Sequence, residues 1–296
     1  VAAGIGTESN GMGSTFGDYD GDGDLDWFVT SIYVGDGIPR DGNRLYRNEG
    51  GRVFSDQTDA AGVRNGFWGW GTAFFDADND GDLDIVQTNG FTMPQDGDWT
   101  ADPMRFWRNE GDATFTERAT TEGILDTREG KGLVVFDYDD DGDMDVFVVN
   151  NTAGPPLYRN ESVGDAGYLR EVCEGSVSPR DGHDAKVRLT AVQGGATQVR
   201  HFGASTHYLG QSERVAHFGL GPGSGSIFEG EVIWPSGFSQ VFNDVPRNTT
   251  LMASEEDAIP NADPVADAGP DQTVVDGDGN GSEAVTLDGT GSSDSD

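Results

Sequence analysis

Three nine-residue stretches of this 296-residue chain carry an aspartate at every odd position: residues 18–26 (DYDGDGDLD), 76–84 (DADNDGDLD) and 137–145 (DYDDDGDMD). The carboxylates at positions 1, 3 and 5 are Asp18, Asp20 and Asp22, then Asp76, Asp78 and Asp80, then Asp137, Asp139 and Asp141. They can converge because the glycine at position 6 (Gly23, Gly81, Gly142) lets the chain turn sharply. Position 7 (Asp24, Asp82, Asp143) offers a backbone carbonyl, and the aspartate at position 9 (Asp26, Asp84, Asp145) can close the shell with both oxygens. Roughly six or seven hard oxygen ligands suit Ca²⁺ better than the smaller Mg²⁺. No histidine or thiolate stands nearby, which disfavours zinc. Without a cation, so many carboxylates would repel one another or stay protonated. One Ca²⁺ per loop is the expectation, about three ions in all. Position 12 holds Val29, Gln87 and Val148 instead of the glutamate of an EF-hand, and Cys173 alone cannot supply the disulfides of thrombospondin-type arrays.

The loops belong to a repeat of about 60 residues. A Gly-x-Gly pair (Gly11/Gly13, Gly69/Gly71, Gly130/Gly132) and an apolar stretch lead into each loop, and an apolar segment follows it. Next come Leu45-Tyr46-Arg47-Asn48-Glu49, Phe106-Trp107-Arg108-Asn109-Glu110 and Leu157-Tyr158-Arg159-Asn160-Glu161, which read as strands. In the first two copies Gly50-Gly51 and Gly111-Asp112 then signal a hairpin into Val53-Phe54 and Thr114-Phe115. Four strands per period make one blade of a β-propeller, and a ring needs roughly four to eight blades. About three fit here, so the expectation is a partial propeller whose first residue falls inside the tail of an earlier repeat, since Gly4 keeps the register of Gly62 and Gly123.

On these motifs residues 1–163 resemble the FG-GAP, or VCBS, repeats of integrin α-like propellers. The resemblance implies that each loop joins the first two strands of a blade, that its ion is structural, and that partners bind elsewhere on the propeller. The third copy departs from the pattern, because Val163-Gly164-Asp165-Ala166-Gly167 replaces its hairpin tail.

From residue 164 to 257 the acidic loops stop and short strand patterns continue, as expected of a small β domain. Gln211-Ser212-Glu213, His217-Phe218-Gly219-Leu220-Gly221 and Val232-Ile233-Trp234-Pro235-Ser236-Gly237 resemble the ASPIC/UnbV domain that accompanies such propellers in the cartilage acidic protein-like family. The entry at residues 181–186 departs from that family's usual glycine-rich form. His183, His201, His207 and His217 all fall in this region but in no metal-binding motif, so local hydrogen bonding is their expected role. Residues 258–263 read as a linker. Residues 264–296 resemble the start of a PKD β-sandwich, with Asp276, Asp278 and Asn280 in an acidic turn. The expected fold class is thus all-β: a partial propeller, a small β domain and the beginning of a sandwich.

A net charge of −35, with two lysines beside sixteen arginines, argues against nucleic acid and anionic membrane surfaces. No apolar run approaches the ~20 residues of a membrane span. No nucleophile elbow, Cys/His motif or phosphate-binding loop is present, so the chain reads as no enzyme. The expected function is that of a secreted or cell-surface calcium-binding module that recognises an extracellular protein or glycan. The alternatives are a non-catalytic accessory region of a secreted hydrolase and a purely structural surface or matrix protein.

Overall fold

The computed structural model describes residues 3–6, 10–34, 42–92, 98–99, 101–161, 164–203, 207–259, 290 and 292. Residues 1–256 form one compact unit and 257–296 a second, of which only a few residues are described. The PKD-like stretch, with Asp276, Asp278 and Asn280, and most of the expected linker lie outside the described residues.

As the composition predicts, the fold is nearly all β. The first blade is an antiparallel sheet of β1 (Ser14–Gly17), β2 (Asp26–Val29), β3 (Arg44–Asn48) and β4 (Phe54–Asp56), paired in chain order. The second contains β5 (Gly69–Phe75) and β6 (Asp84–Asn89), then a small inserted hairpin, β7 (Phe91–Thr92) and β8 (Asp98–Trp99), then β9 (Arg105–Asn109) and β10 (Phe115–Glu117). The third holds β11 (Gly130–Phe136), β12 (Asp145–Asn150) and β13 (Leu157–Tyr158). The inner strands β1, β5 and β11 lie side by side, the arrangement of propeller blades around an axis. Each acidic loop joins the first and second strands of its blade.

Alternation along the strands sends one set of apolar residues to each neighbouring blade. Between blades 1 and 2, Tyr19, Phe28, Leu45 and Val63 meet Phe74, Leu83, Ile85, Trp107 and Phe115. Between blades 2 and 3, Phe75, Val86 and Phe106 meet Ile124, Val135, Met144 and Val146, with the partly buried Tyr158 packed against them. Polar ties recur at equivalent places. Thr30 Oγ1 donates to Trp70 O (2.6 Å) and Thr88 Oγ1 to Lys131 O (3.2 Å), each reaching the inner strand of the next blade.

The third blade has three strands among the described residues where the repeat predicts four. Phe115 of β10 fills the gap between blades 1 and 2. At the corresponding place between blades 2 and 3 lies a groove lined by Ala77, Phe106, Ile124, Met144 and Tyr158. The altered tail that follows Glu161 supplies no described counterpart of Phe115.

The second region has three sheets among the described residues. In one, β17 (Ala216–Pro222) pairs antiparallel with β14 (Ala166–Glu174), which pairs in parallel with β22 (Thr249–Ser254). Another runs β16 (Thr197–His201), β15 (Lys186–Thr190), β19 (Glu229–Ile233), β20 (Ser239–Phe242). The third is a two-stranded antiparallel pairing of β18 (Ser226–Ile227) with β21 (Val245–Pro246). Leu169, Val187, Leu189, Phe218, Val232 and Trp234 are buried here. So is Glu171 of β14, whose two oxygens have no hydrogen-bond partner. Burial pushes its carboxyl up to about 8.

A carboxyl whose folded value lies above its unfolded one stabilises fully below the unfolded value and loses that contribution as pH rises through the folded one. Wild type is therefore expected to lose about 4 kcal/mol relative to Glu171→Gln between pH 4.5 and 8. Thermal melts of both proteins across that range, in saturating Ca²⁺, check this. Parallel pH profiles for the two would remove Glu171 as the cause.

Candidate metal centres

Each loop is built the same way. The position-6 glycines Gly23, Gly81 and Gly142 have φ of 91°, 104° and 91°, a left-handed turn that a side chain would strain. That turn aims the glycine N–H at the position-1 carboxylate: Gly23 N to Asp18 Oδ2 (3.0 Å), Gly81 N to Asp76 Oδ2 (2.9 Å), Gly142 N to Asp137 Oδ2 (2.9 Å). The N–H of position 7 donates to the carboxylate of position 5 in every loop: Asp24 to Asp22, Asp82 to Asp80, Asp143 to Asp141.

The turn gathers ligand oxygens. Asp18, Asp20 and Asp22 bring one oxygen each within 4.8 Å of one another, as do Asp76, Asp78 and Asp80, and also Asp137, Asp139 and Asp145. In the third loop the gathered triad thus contains position 9 in place of Asp141. Asp24, Asp82 and Asp143 belong to no gathered triad, and their expected contribution is a backbone carbonyl.

The position-9 carboxylates are buried, and both oxygens accept backbone N–H groups. Asp26 takes them from Tyr19 and Asn48, Asp84 from Ala77 and Asn109, Asp145 from Tyr138 and Asn160. They stitch the loop to the third strand of its own blade. The asparagines of the second and third blades reach further: Asn109 Nδ2 donates to Tyr19 O (2.9 Å) and Asn160 Nδ2 to Ala77 O (2.6 Å), each in the loop of the preceding blade.

Burial raises several of these acids, with like charge adding to it. Asp18 is pushed up to about 6, Asp76 to about 7 and Asp26 to about 8. Asp18 Oδ1, Asp76 Oδ1, Asp78 Oδ1 and Asp139 Oδ1 are buried and have no hydrogen-bond donor. Buried carboxylate oxygens without a donor are costly, and a hard cation in contact with them removes that cost. The donor set fits Ca²⁺: oxygen only, three converging carboxylates and a tight glycine turn.

The arginine of each Arg-Asn-Glu segment was legible as part of a strand, but its role was not. Arg47 Nε lies 2.8 Å from Asp20 Oδ2 and Nη2 3.3 Å from Asp22 Oδ2. Arg108 pairs in the same way with Asp78 and Asp80, and Arg159 with Asp139 and Asp141. One side of each acidic cluster is therefore neutralised from within its own blade. The repetition of arginine at one register beside an acidic repeat was the available signal.

The buried histidines bond mainly across to the propeller, not locally as expected, because the segments that carry them pack against its first strands and acidic loops. His207 Nδ1 lies 2.7 Å from Thr72 O and Nε2 2.7 Å from Ser212 Oγ, and His217 Nε2 lies 3.0 Å from Gly142 O. Burial lowers both, His217 to about 4, so the neutral ring prevails at neutral pH.

Fold and loops together define an acidic, propeller-like β repeat protein with further β-sheets packed into the same compact unit. Residues 175–260 match the family model described as ASPIC and UnbV. The chain is also similar to two curated proteins named cartilage acidic protein 1. That of Mus musculus is 29% identical over 205 residues, covering 64% of this chain and 30% of the relative. That of Homo sapiens is 31% identical over 170 residues, covering 55% of this chain and 24% of the relative. The chain thus spans less than a third of the length of these relatives. No helix among the described residues is long and apolar enough to cross a membrane.

Proposed function

We propose that this chain is a calcium-stabilised, non-catalytic recognition module of an extracellular protein. One Ca²⁺ in each acidic loop fixes the loop end of its blade, and the propeller presents a surface to a protein or glycan ligand. The buried position-1 and position-3 oxygens without donors carry this reading, because a bound cation is what such oxygens call for. The FG-GAP-like repeat supports a structural role for the ion. The similarity to proteins named for cartilage supports an extracellular setting.

Chelation tests it directly. With free Ca²⁺ tenfold above Kd, each site adds about 1.4 kcal/mol. Treatment with EDTA is therefore expected to lower the melting temperature and restoration of Ca²⁺ to recover it. A melting curve and circular dichroism spectrum unchanged by EDTA would remove calcium from the account. Binding to glycan and matrix-protein arrays with and without Ca²⁺ tests the recognition role.

A further inference from the structure

Three equivalent atoms of the propeller, the carbonyl oxygens of the position-6 glycines, are each met by a different side chain of the second domain. Lys186 Nζ donates to Gly23 O (3.0 Å), Arg200 Nη2 donates to Gly81 O (3.2 Å), and His217 Nε2 faces Gly142 O (3.0 Å). These side chains stand on β15, β16 and β17. The contact extends to ligand-bearing groups. Gly219 N donates to Asp76 Oδ2 (3.0 Å), Gly221 N to Asn79 O (2.6 Å), and Arg170 Nη1 lies 3.2 Å from Asp137 Oδ2.

Asp76 shows how the two functions meet in one group. Its Oδ2 is shared between Gly81 N–H and Gly219 N–H, its Oδ1 is buried without a donor, and the residue is one of the gathered triad. A cation at the cluster holds this carboxylate where the second domain needs it. With no cation, mutual repulsion among the gathered carboxylates works against the turn that orients both the carboxylate and the glycine carbonyl.

We infer that Lys186, Arg200 and His217 are positioning residues for the three cation sites, so that ion binding in the loops and docking of the second domain form one linked equilibrium. This rests on the calcium reading above. Linkage is reciprocal: whatever factor the ion contributes to docking, docking contributes to ion affinity.

Lys186→Met separates positioning from charge, and Lys186 is only half-buried, so the variant is expected to fold. Removing a positive charge beside five carboxylates would, by Coulomb's law alone, tighten cation binding. Loss of positioning predicts the opposite: in a calorimetric Ca²⁺ titration of the whole chain, one site weakens roughly fivefold or more. Lys186→Arg is expected to restore it. Unchanged or tighter binding in Lys186→Met overturns the inference.

Hydrogen exchange supplies the reciprocal arm. Adding EGTA to the intact chain is expected to speed exchange of the Gly219 and Gly221 amides by about tenfold or more, together with the loop amides. If the loop amides respond and Gly219 and Gly221 do not, the linkage is wrong and the calcium reading stands. If Ca²⁺ produces no binding heat and no loop response, the calcium reading fails and this inference fails with it.

Discussion

Replacing Asp84 by alanine is expected to cost about 3–5 kcal/mol even in saturating Ca²⁺, because it strands the buried N–H of Asn109 and the part-buried N–H of Ala77. The control is Asp80→Ala, one turn of the same loop away. Asp80 is exposed, lies within the gathered triad, and shares Arg108 with Asp78. Its loss is expected to weaken Ca²⁺ binding while costing under ~1 kcal/mol in the ion-free protein. Urea unfolding of both variants, with and without Ca²⁺, makes the comparison. Equal losses would show that the ninth position holds no special place in joining loop to blade.

The second large effect is expected at Glu255, just past the last strand of the second domain. Its Oε2 accepts the N–H groups of Ser176, Val177 and Ser178 at 2.8, 2.8 and 2.7 Å, and its Oε1 the hydroxyls of Ser178 and Ser236 at 2.7 and 2.6 Å. Burial pushes this carboxyl upward, but the hydroxyls of Ser236 and Ser178 and the surrounding N–H groups outweigh it and hold the group at about 2. A carboxyl held below its unfolded value of 4.5 stabilises fully above pH 4.5 and loses that contribution as pH falls towards about 2.

Glu255→Ala leaves five donors facing an apolar stub and is expected to cost about 3–5 kcal/mol at pH 7. Glu255→Gln keeps the shape, lets the serine hydroxyls turn to accept, and is expected to cost about 1–2 kcal/mol. The gap between wild type and Glu255→Gln is expected to shrink from pH 5 to pH 3. Thermal melts at the two pH values read it, and a constant gap would show that the charge contributes nothing.

The loops and the blades were legible in the sequence because their chemistry is local. A turn at Gly23, Gly81 or Gly142 brings together carboxylates only two residues apart, and the strands follow the period of their own side chains. The all-β, propeller-like architecture follows from that repetition. What escaped sequence reading depends on partners distant in the chain. Arg47 meets an aspartate 25 residues earlier. Lys186 meets a carbonyl 163 residues earlier. Lys186, Arg200 and His217 share neither residue type nor spacing, so nothing in the chain marks them as a set. The altered tail of the third repeat was visible as a departure, but only packing showed its effect, a blade of three described strands beside an apolar groove.

The parallel pairing of β14 with β22 sets an order of events during synthesis. Leu169 to Glu174 pair with Thr249 to Ser254, at a separation of 80 residues, so the sheet of the second domain lacks its closing strand until nearly the whole domain has left the ribosome. The blades have no such constraint, since β1 to β4 and β5 to β10 each close by pairing strands that are close in the chain. The acidic loops are thus complete well before the sheets that cover them can form, so the contacts to Gly23, Gly81 and Gly142 are among the last to be made in the assembly of the molecule.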